Sequence, residues 1–301
     1  GRQALAAVGS TTALINMFVN LFIGVSLGAN VLSARFYAAG KEREMSETVH
    51  TAMTFALISG IVMVFVGLFC TRGALELMDT PADVIDQAAL YMKIYFCSMP
   101  FFMLYNYGAA ILRAVGDTKR PLLFLIISGA INAVLNLFLV IAFSMGVAGV
   151  AIATVISQVI SCVLVLWCLF TTDSCYRLQI SKLGIKGEYL LQIFQVGVPA
   201  GIQSVVINFS NVLLQSSVNS FGSIAMAGST ASSNLEGFVY TSMNSFYQAS
   251  LSFTSQNLGA NKKERINKIL ITCEILVFFV GLIMGNVAYF FGDRLLHIYS
   301  S

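Results

Sequence analysis

The hydrophobic positions of the chain fall into eight long apolar runs separated by short polar segments. The runs lie near residues 12–34, 51–71, 88–112, 121–143, 147–170, 190–218, 224–255 and 267–291. Most of them reach the roughly 20 residues that a helix needs to cross the hydrocarbon core of a bilayer. The pattern therefore predicts an all-α, polytopic membrane protein with about eight spans.

Three of these runs carry further signals. The run at 224–255 is rich in Ser, Thr and Asn, so we expect its helix to face protein or a cavity rather than lipid. Pro100 and Pro199 lie inside spans, where each removes a helix hydrogen bond and favours a kink.

Composition and charge agree with a membrane protein. The chain is 57% hydrophobic and 10% charged, whereas soluble domains are roughly 25% charged. Basic residues concentrate in every second loop, which predicts that those loops are cytoplasmic. The basic loops carry Lys41 and Arg43; Arg113, Lys119 and Arg120; Arg177, Lys182 and Lys186; and Lys262, Lys263, Arg265 and Lys268.

The segment 9–40 recurs at 228–259. Both copies begin Gly-Ser-Thr and close on a glycine that is followed by basic residues, and they align at an offset of 219 residues. The copies are spans one and seven, so both cross the membrane in the same direction. This predicts two six-helix lobes related by a parallel pseudo-twofold axis along the membrane normal. The alternative is an eight-span protein with a chance resemblance.

The repeat also predicts a domain organisation. We assign residues 1–172 to an N-lobe that lacks its first helix and residues 190–301 to a C-lobe that lacks its last three. We place the boundary between the lobes in the cytoplasmic loop 173–189, because it is the longest and most polar loop in the chain.

The sixth and seventh spans present polar faces. In the sixth span Ser204, Asn208, Asn211, Gln215 and Asn219 lie on one helix face. They form either the wall of a water-filled cavity or hydrogen bonds between packed helices.

Glu236 in the seventh span shares a face with Tyr240, Met243 and Tyr247. A carboxylate inside a bilayer needs a partner, a proton or water. Two tyrosine rings and a thioether beside it suit an organic cation. Glu236 could equally carry a coupling proton, or it could be a structural residue bonded to a neighbouring Ser or Asn.

Asn132 and Asn136 are four residues apart and share a face of the fourth span, and Thr154 lies in the next span. Amide and hydroxyl oxygens are ligands that a hard cation accepts. The alternative role of these residues is helix packing.

Four stretches carry a resemblance to a known family. They are 112–121 (LRAVGDTKRP), 146–154 (GVAGVAIAT), 197–199 (GVP) and 256–260 (QNLGA). In order and spacing they resemble helices two to nine of the multidrug and toxin extrusion (MATE) family of cation-coupled efflux transporters. The resemblance implies an N-lobe cation site at Asn132, Asn136 and Thr154, although Asn136 stands where the family often has Asp. Glu236 resembles an acidic residue of C-lobe-coupled members.

The predicted function is therefore a non-enzymatic antiporter in the plasma membrane that exports cationic amphiphilic compounds in exchange for H⁺ or Na⁺. We expect a monomer whose partners are membrane lipid and small organic cations, with no nucleic acid, no metal site and no cofactor beyond the coupling ion. The alternatives are a lipid-linked oligosaccharide flippase of the same superfamily, which would favour a more basic cavity, and a non-transporting fragment. An intramembrane enzyme is disfavoured, because the sequence has no HExxH motif and no paired intramembrane carboxylates.

Overall fold

The computed structural model of the protein confirms the all-α class, with 89% of residues in helices. It describes residues 2–77, 85–219 and 223–299. The α-helices of the described chain are α1 (Arg2–Ala38), α2 (Glu42–Leu77), α3 (Ile85–Cys97), α4 (Met99–Ala114), α5 (Lys119–Leu137), α6 (Gly146–Thr171), α7 (Gly187–Asn219), α8 (Ser223–Gly259) and α9 (Glu264–Tyr299).

The predicted span at 88–112 is a bent pair of helices rather than one straight helix. The chain turns by 46° between α3 and α4. Pro100 lies in the first turn of α4. A proline is tolerated there because the first N–H groups of a helix have no partner within the helix. The same missing N–H prevents α3 from continuing through Pro100 as a regular helix. Pro199, in contrast, lies inside α7, which continues through it.

The membrane-spanning character of the helices follows the hydrophobic pattern. Within the described residues, six helices are long and apolar enough to cross a membrane, or seven if α3 and α4 form one span. The polar run at 224–255 is helical as part of α8, but α8 is not among those seven.

The chain divides into two compact units, Gly1–Val205 and Val206–Ser301. The division falls inside α7, whereas the sequence places the lobe boundary at 173–189; the lobe boundary stays a prediction. In the first unit α4 packs on α1, α2 and α6, and Met103, Tyr107 and Ile111 of α4 are fully buried. In the second unit α8 packs along α9.

Paired glycines bring α1 and the first half of α7 into backbone contact. A Cβ at Gly24 would lie 2.2 Å from the Cα of Gly201, and one at Gly197 would lie 2.6 Å from the Cα of Val25. A Cβ at Gly28 would lie 2.1 Å from the carbonyl oxygen of Ile193. Glycines four apart on both helices therefore allow an approach that no side chain permits, as in close-packed membrane helices. We call this contact the glycine seam.

The repeated segments form matching hairpins. Helices α1 and α8 each have 37 residues, and α2 and α9 each have 36. After α1, Lys41 N–H donates to the Phe36 carbonyl; after α8, Lys262 N–H donates to the Asn257 carbonyl.

The turns correct the register of the repeat. Gly40 and Asn261 are the turn residues with positive φ, at 67° and 57°, so Gly40 corresponds to Asn261 and not to Gly259. The predicted offset of 219 residues is wrong at the turn, where the offset is 221. After glycine, asparagine is the residue type that most often adopts this conformation at a helix end. The sequence alignment instead matched Gly40 with Gly259 because the two residues are identical, and so it missed the correspondence with Asn261.

Candidate functional site

The predicted N-lobe residues meet between α5 and α6. The Asn136 Nδ2 donates to Asn132 Oδ1 at 3.0 Å, and the Asn132 Nδ2 donates to Ser157 Oγ at 3.3 Å. The Ser157 hydroxyl in turn donates to the Thr154 carbonyl at 2.8 Å. This chain of hydrogen bonds, which we call the α5–α6 network, joins the side chains of Asn136, Asn132 and Ser157, while Thr154 contributes only its backbone carbonyl. Their role in binding a cation stays a prediction.

The network leaves one oxygen available. Asn136 Oδ1 is buried and has no hydrogen-bond partner within the part of the chain that the structure describes. Leaving a buried carbonyl oxygen without a donor is costly, and its free lone pairs can accept a proton donor or coordinate a cation. The Thr154 hydroxyl is committed to the Val150 carbonyl at 3.0 Å, although its lone pairs remain acceptors.

Gln158 is a polar neighbour that the sequence analysis missed. It lies on α6 directly after Ser157 and one turn after Thr154. Its side chain makes a hydrogen bond with Tyr95 of α3, while its Oε1 is buried without a partner among the described residues. The spacing of Thr154 and Gln158, four residues apart on one face of α6, was the available signal.

The second group of predicted residues lies on α8. Glu236 is exposed, and Tyr240, Met243 and Tyr247 are 59%, 39% and 51% exposed. Met243 approaches α9, since a Cβ at Gly281 would lie 3.8 Å from the Met243 Sδ. These four residues therefore form one open surface of the second unit, which we call the α8 face, with a carboxylate, two aromatic rings and a thioether.

The predicted polar stripe of α7 is divided between the units. Ser204 belongs to the first unit, and its hydroxyl donates to the Ala200 carbonyl at 3.1 Å. Asn208 is half-buried and Asn211 is exposed, both in the second unit. The side chains of Gln215 and Asn219 lie outside the described residues. The structure thus leaves the cavity role of this stripe as a prediction.

These two groups differ in the chemistry available to them. The α5–α6 network is neutral, so it can solvate a cation through oxygens but cannot neutralise it. The α8 face has a carboxylate, which can pair with a cation or take up a proton, beside rings that attract a cation through their π faces.

The sequence matches the family described as MatE over residues 1–138 and 199–301. Two curated proteins are similar over nearly the whole chain. A probable multidrug resistance protein YoeA of Bacillus subtilis strain 168 is 30% identical over 99% of this chain. The multidrug export protein MepA of Staphylococcus saprophyticus is 21% identical over 99% of it. The chain spans 66% of the length of each of these two relatives.

The fold is similar to that of solved transporters. A structure described as the outward-facing conformation of a multidrug resistance MATE family transporter of the MOP superfamily superposes with a TM-score of 0.92. It is 20% identical, and the match covers 99% of this chain and 67% of that one. At this identity the likeness concerns the fold.

Proposed function

The chain belongs to the MatE family, and we propose that it works as a cation-coupled antiporter that exports cationic amphiphilic compounds across the plasma membrane. The coupling ion is H⁺ or Na⁺, and the working unit is a monomer. Family membership supports transport, and the names of the two relatives support multidrug export. The chemistry of the candidate residues then supports a cation as the cargo.

The α8 face is the observation that carries this proposal. Glu236, Tyr240, Met243 and Tyr247 are all exposed on one side of α8, whose sequence is rich in Ser, Thr and Asn. An amphiphilic cation needs a counter-charge for its head and polarizable surface for its body. The α8 face provides both within three helical turns.

Antiport follows when one group serves two ligands. Glu236 neutralised by a proton cannot pair with a cation, and Glu236 paired with a cation resists protonation. Each ligand therefore weakens the other by the same coupling free energy, typically 1–3 kcal/mol. A proton entering from one side of the membrane displaces the cation, and exchange results.

The α5–α6 network has a supporting role in this proposal. Asn136 Oδ1 and the lone pairs of Asn132 and Thr154 offer neutral oxygens to a Na⁺ ion or a hydronium-like proton donor. Without a carboxylate in the network, its affinity for a cation is low. Binding there tunes the transport cycle rather than driving it.

The function is tested with the full-length protein in proteoliposomes loaded with a fluorescent organic cation. We expect an imposed pH gradient or Na⁺ gradient to drive movement of the dye, and collapse of that gradient with an ionophore to stop it. Movement of a fluorescent lipid-linked pyrophosphate, with no movement of the cation, would instead support the flippase and contradict the proposal.

The supporting role of Asn136 makes a separate prediction. Asn136→Ala removes the unpaired oxygen and one hydrogen bond, so it should raise the concentration of coupling ion needed for half-maximal transport by about 3- to 10-fold, the equivalent of one hydrogen bond. Asn136→Asp, which adds a charge, should lower that concentration. Asn286→Ala is the matched control, because Asn286 donates only to the Leu282 carbonyl of its own helix in the described structure. Equal behaviour of Asn136→Ala and Asn286→Ala would remove the network from the mechanism.

A further inference from the structure

A segment of the loop between α6 and α7 is fastened to α2. We call residues 179–186 the strap. Three of its backbone N–H groups donate to side chains of α2. Gln179 donates to His50 Nε2 at 3.0 Å, Gly184 to Thr54 Oγ1 at 3.0 Å and Lys186 to Thr51 Oγ1 at 3.3 Å.

The receiving side chains share one face of α2. Glu47, His50, Thr51 and Thr54 follow the i, i+3, i+4, i+7 spacing of a single helix face. Glu47 completes the face through an ion pair with Lys186. The strap is therefore held by four acceptor side chains on one face of α2, although nothing in its own sequence predicts this contact.

His50 is the acceptor that can change its hydrogen-bonding role. The residue is buried, with 3% of its surface exposed. Its Nδ1 lies 2.6 Å from the Ser46 carbonyl oxygen, which can only accept a hydrogen bond, so Nδ1 carries a proton. Its Nε2 faces the Gln179 N–H, which can only donate, so Nε2 carries none. The observed contacts therefore require the neutral ring in one tautomer.

Protonation of His50 makes this arrangement impossible. A second proton on Nε2 turns both ring nitrogens into donors, and the Nε2–H then points at the Gln179 N–H. The strap loses one acceptor and gains a repulsion between two donors in a buried place. The neighbouring bonds at Thr51, Thr54 and Glu47 do not involve the ring.

The charged and titratable groups around this contact are mixed in sign. On α2 they are Glu42, Arg43, Glu44 and Glu47. Glu47 forms ion pairs with both Arg43 and Lys186. On the loop they are Arg177, Lys182 and Lys186, and Tyr189 at the start of α7 makes a hydrogen bond to Glu47. Cys175, also in the loop, stays a thiol, since burial and the Glu42 carboxylate raise its pKa.

We propose that His50 and the strap form a pH-sensitive latch, which is closed when His50 is neutral and released when it is protonated. Histidine is the side chain whose charge changes nearest to physiological pH. By the loop charges, the latch lies on the cytoplasmic side. The strap is the connection between α6 and α7, so its release frees the start of α7 in response to cytoplasmic acidification.

Hydrogen–deuterium exchange of the full-length protein in nanodiscs tests the latch. Peptides covering 178–187 report the amides of Gln179, Gly184 and Lys186, and each rate is divided by the intrinsic exchange rate at that pH. Lowering the pH from 7.5 to 5.5 should decrease the protection of the wild-type strap by about 5- to 10-fold, in line with the loss of one hydrogen bond.

Variants at His50 distinguish titration from packing. His50→Gln keeps an acceptor oxygen that does not titrate, so its strap should stay protected at both pH values. His50→Ala has no acceptor, so its strap should exchange fast at both. His297→Gln, at the chain's second histidine, is the control and should respond to pH as the wild type does.

Two results would overturn the latch. One is wild-type protection that is equal at pH 7.5 and 5.5. The other is a loss of protection at pH 5.5 that persists in His50→Gln, because a different group, such as Glu47, would then be titrating.

Discussion

The α1–α2 and α8–α9 hairpins have the same form and different surroundings. Their helices match in length, and their turns use the same hydrogen bonds. Yet a third of the residues in the most apolar stretch of α2 are buried, whereas no residue in the corresponding stretch of α9 is. The repeated sequence thus specifies helices and a turn, whereas burial is decided by the helices that pack against them, here α3, α4 and α6 for the first hairpin.

The two hairpins differ most clearly at one corresponding helix face. Ile15 and Glu236 both lie thirteen residues after the first residue of their 37-residue helices. Ile15 is buried, and Val19 and Phe22 on the same face pack against the core of the first unit. Their counterparts on α8 are Tyr240 and Met243, which are exposed. A face used for packing in one copy carries a charge and aromatic rings in the other.

The largest difference between the hairpins should appear in core truncations. Met53 and Ile275 each lie eleven residues after the start of α2 and α9, and they are 2% and 50% exposed. Met53→Ala should destabilise the protein by about 2–5 kcal/mol through lost packing, and Ile275→Ala by well under that. Thermal unfolding in detergent measures both. Equal losses would show that α9 is packed as tightly as α2.

The glycine seam should give the next largest effect. Gly24→Ala places a methyl group against the backbone of α7, which costs about 1–3 kcal/mol when helices must separate. Gly237→Ala on α8 meets no atom within 4 Å among the described residues, and alanine favours helix, so this variant should be neutral or more stable.

The same unfolding measurement compares these two variants, with Gly129→Ala as a second control. A Cβ at Gly129, also within a helix, would meet no described atom within 4 Å. A Gly24→Ala protein as stable as Gly129→Ala would mean that the seam is not a tight contact.

The sequence predicted those features that depend on local pattern. Helix positions followed from the apolar runs, and the meeting of Asn132 with Asn136 followed from their spacing of four residues. A kink at Pro100 was predicted, but the division into α3 and α4 was not. The sequence alone does not distinguish a proline that begins a helix, such as Pro100, from one inside a helix, such as Pro199. The confirmed family assignment rested on short motifs, of which 112–121 and 256–260 lie at helix ends and turns, 146–154 begins α6 and 197–199 lies inside α7.

The features that were missed depend on contacts between distant residues. Gln179 and His50 are 129 residues apart, and the donor is a backbone N–H that carries no sequence signal. Ser157 bridges α5 and α6 through its side-chain hydroxyl, and nothing in the sequence distinguishes it from the many other Ser and Thr residues of the spans. The turn register was missed because Asn261, and not a glycine, adopts the positive φ.

The central claim is that the carboxylate of the α8 face couples cation export to the entry of protons. Glu236→Gln keeps the size of the side chain and removes its charge. In proteoliposomes containing the full-length protein, the variant should lose pH-gradient-driven efflux of a fluorescent cation by on the order of 10-fold, a typical coupling free energy, and its remaining transport should not depend on pH. Glu274→Gln, at an exposed carboxylate of α9, should transport as the wild type does. Wild-type rates with an unchanged pH profile in Glu236→Gln would contradict the account and assign the coupling to another group.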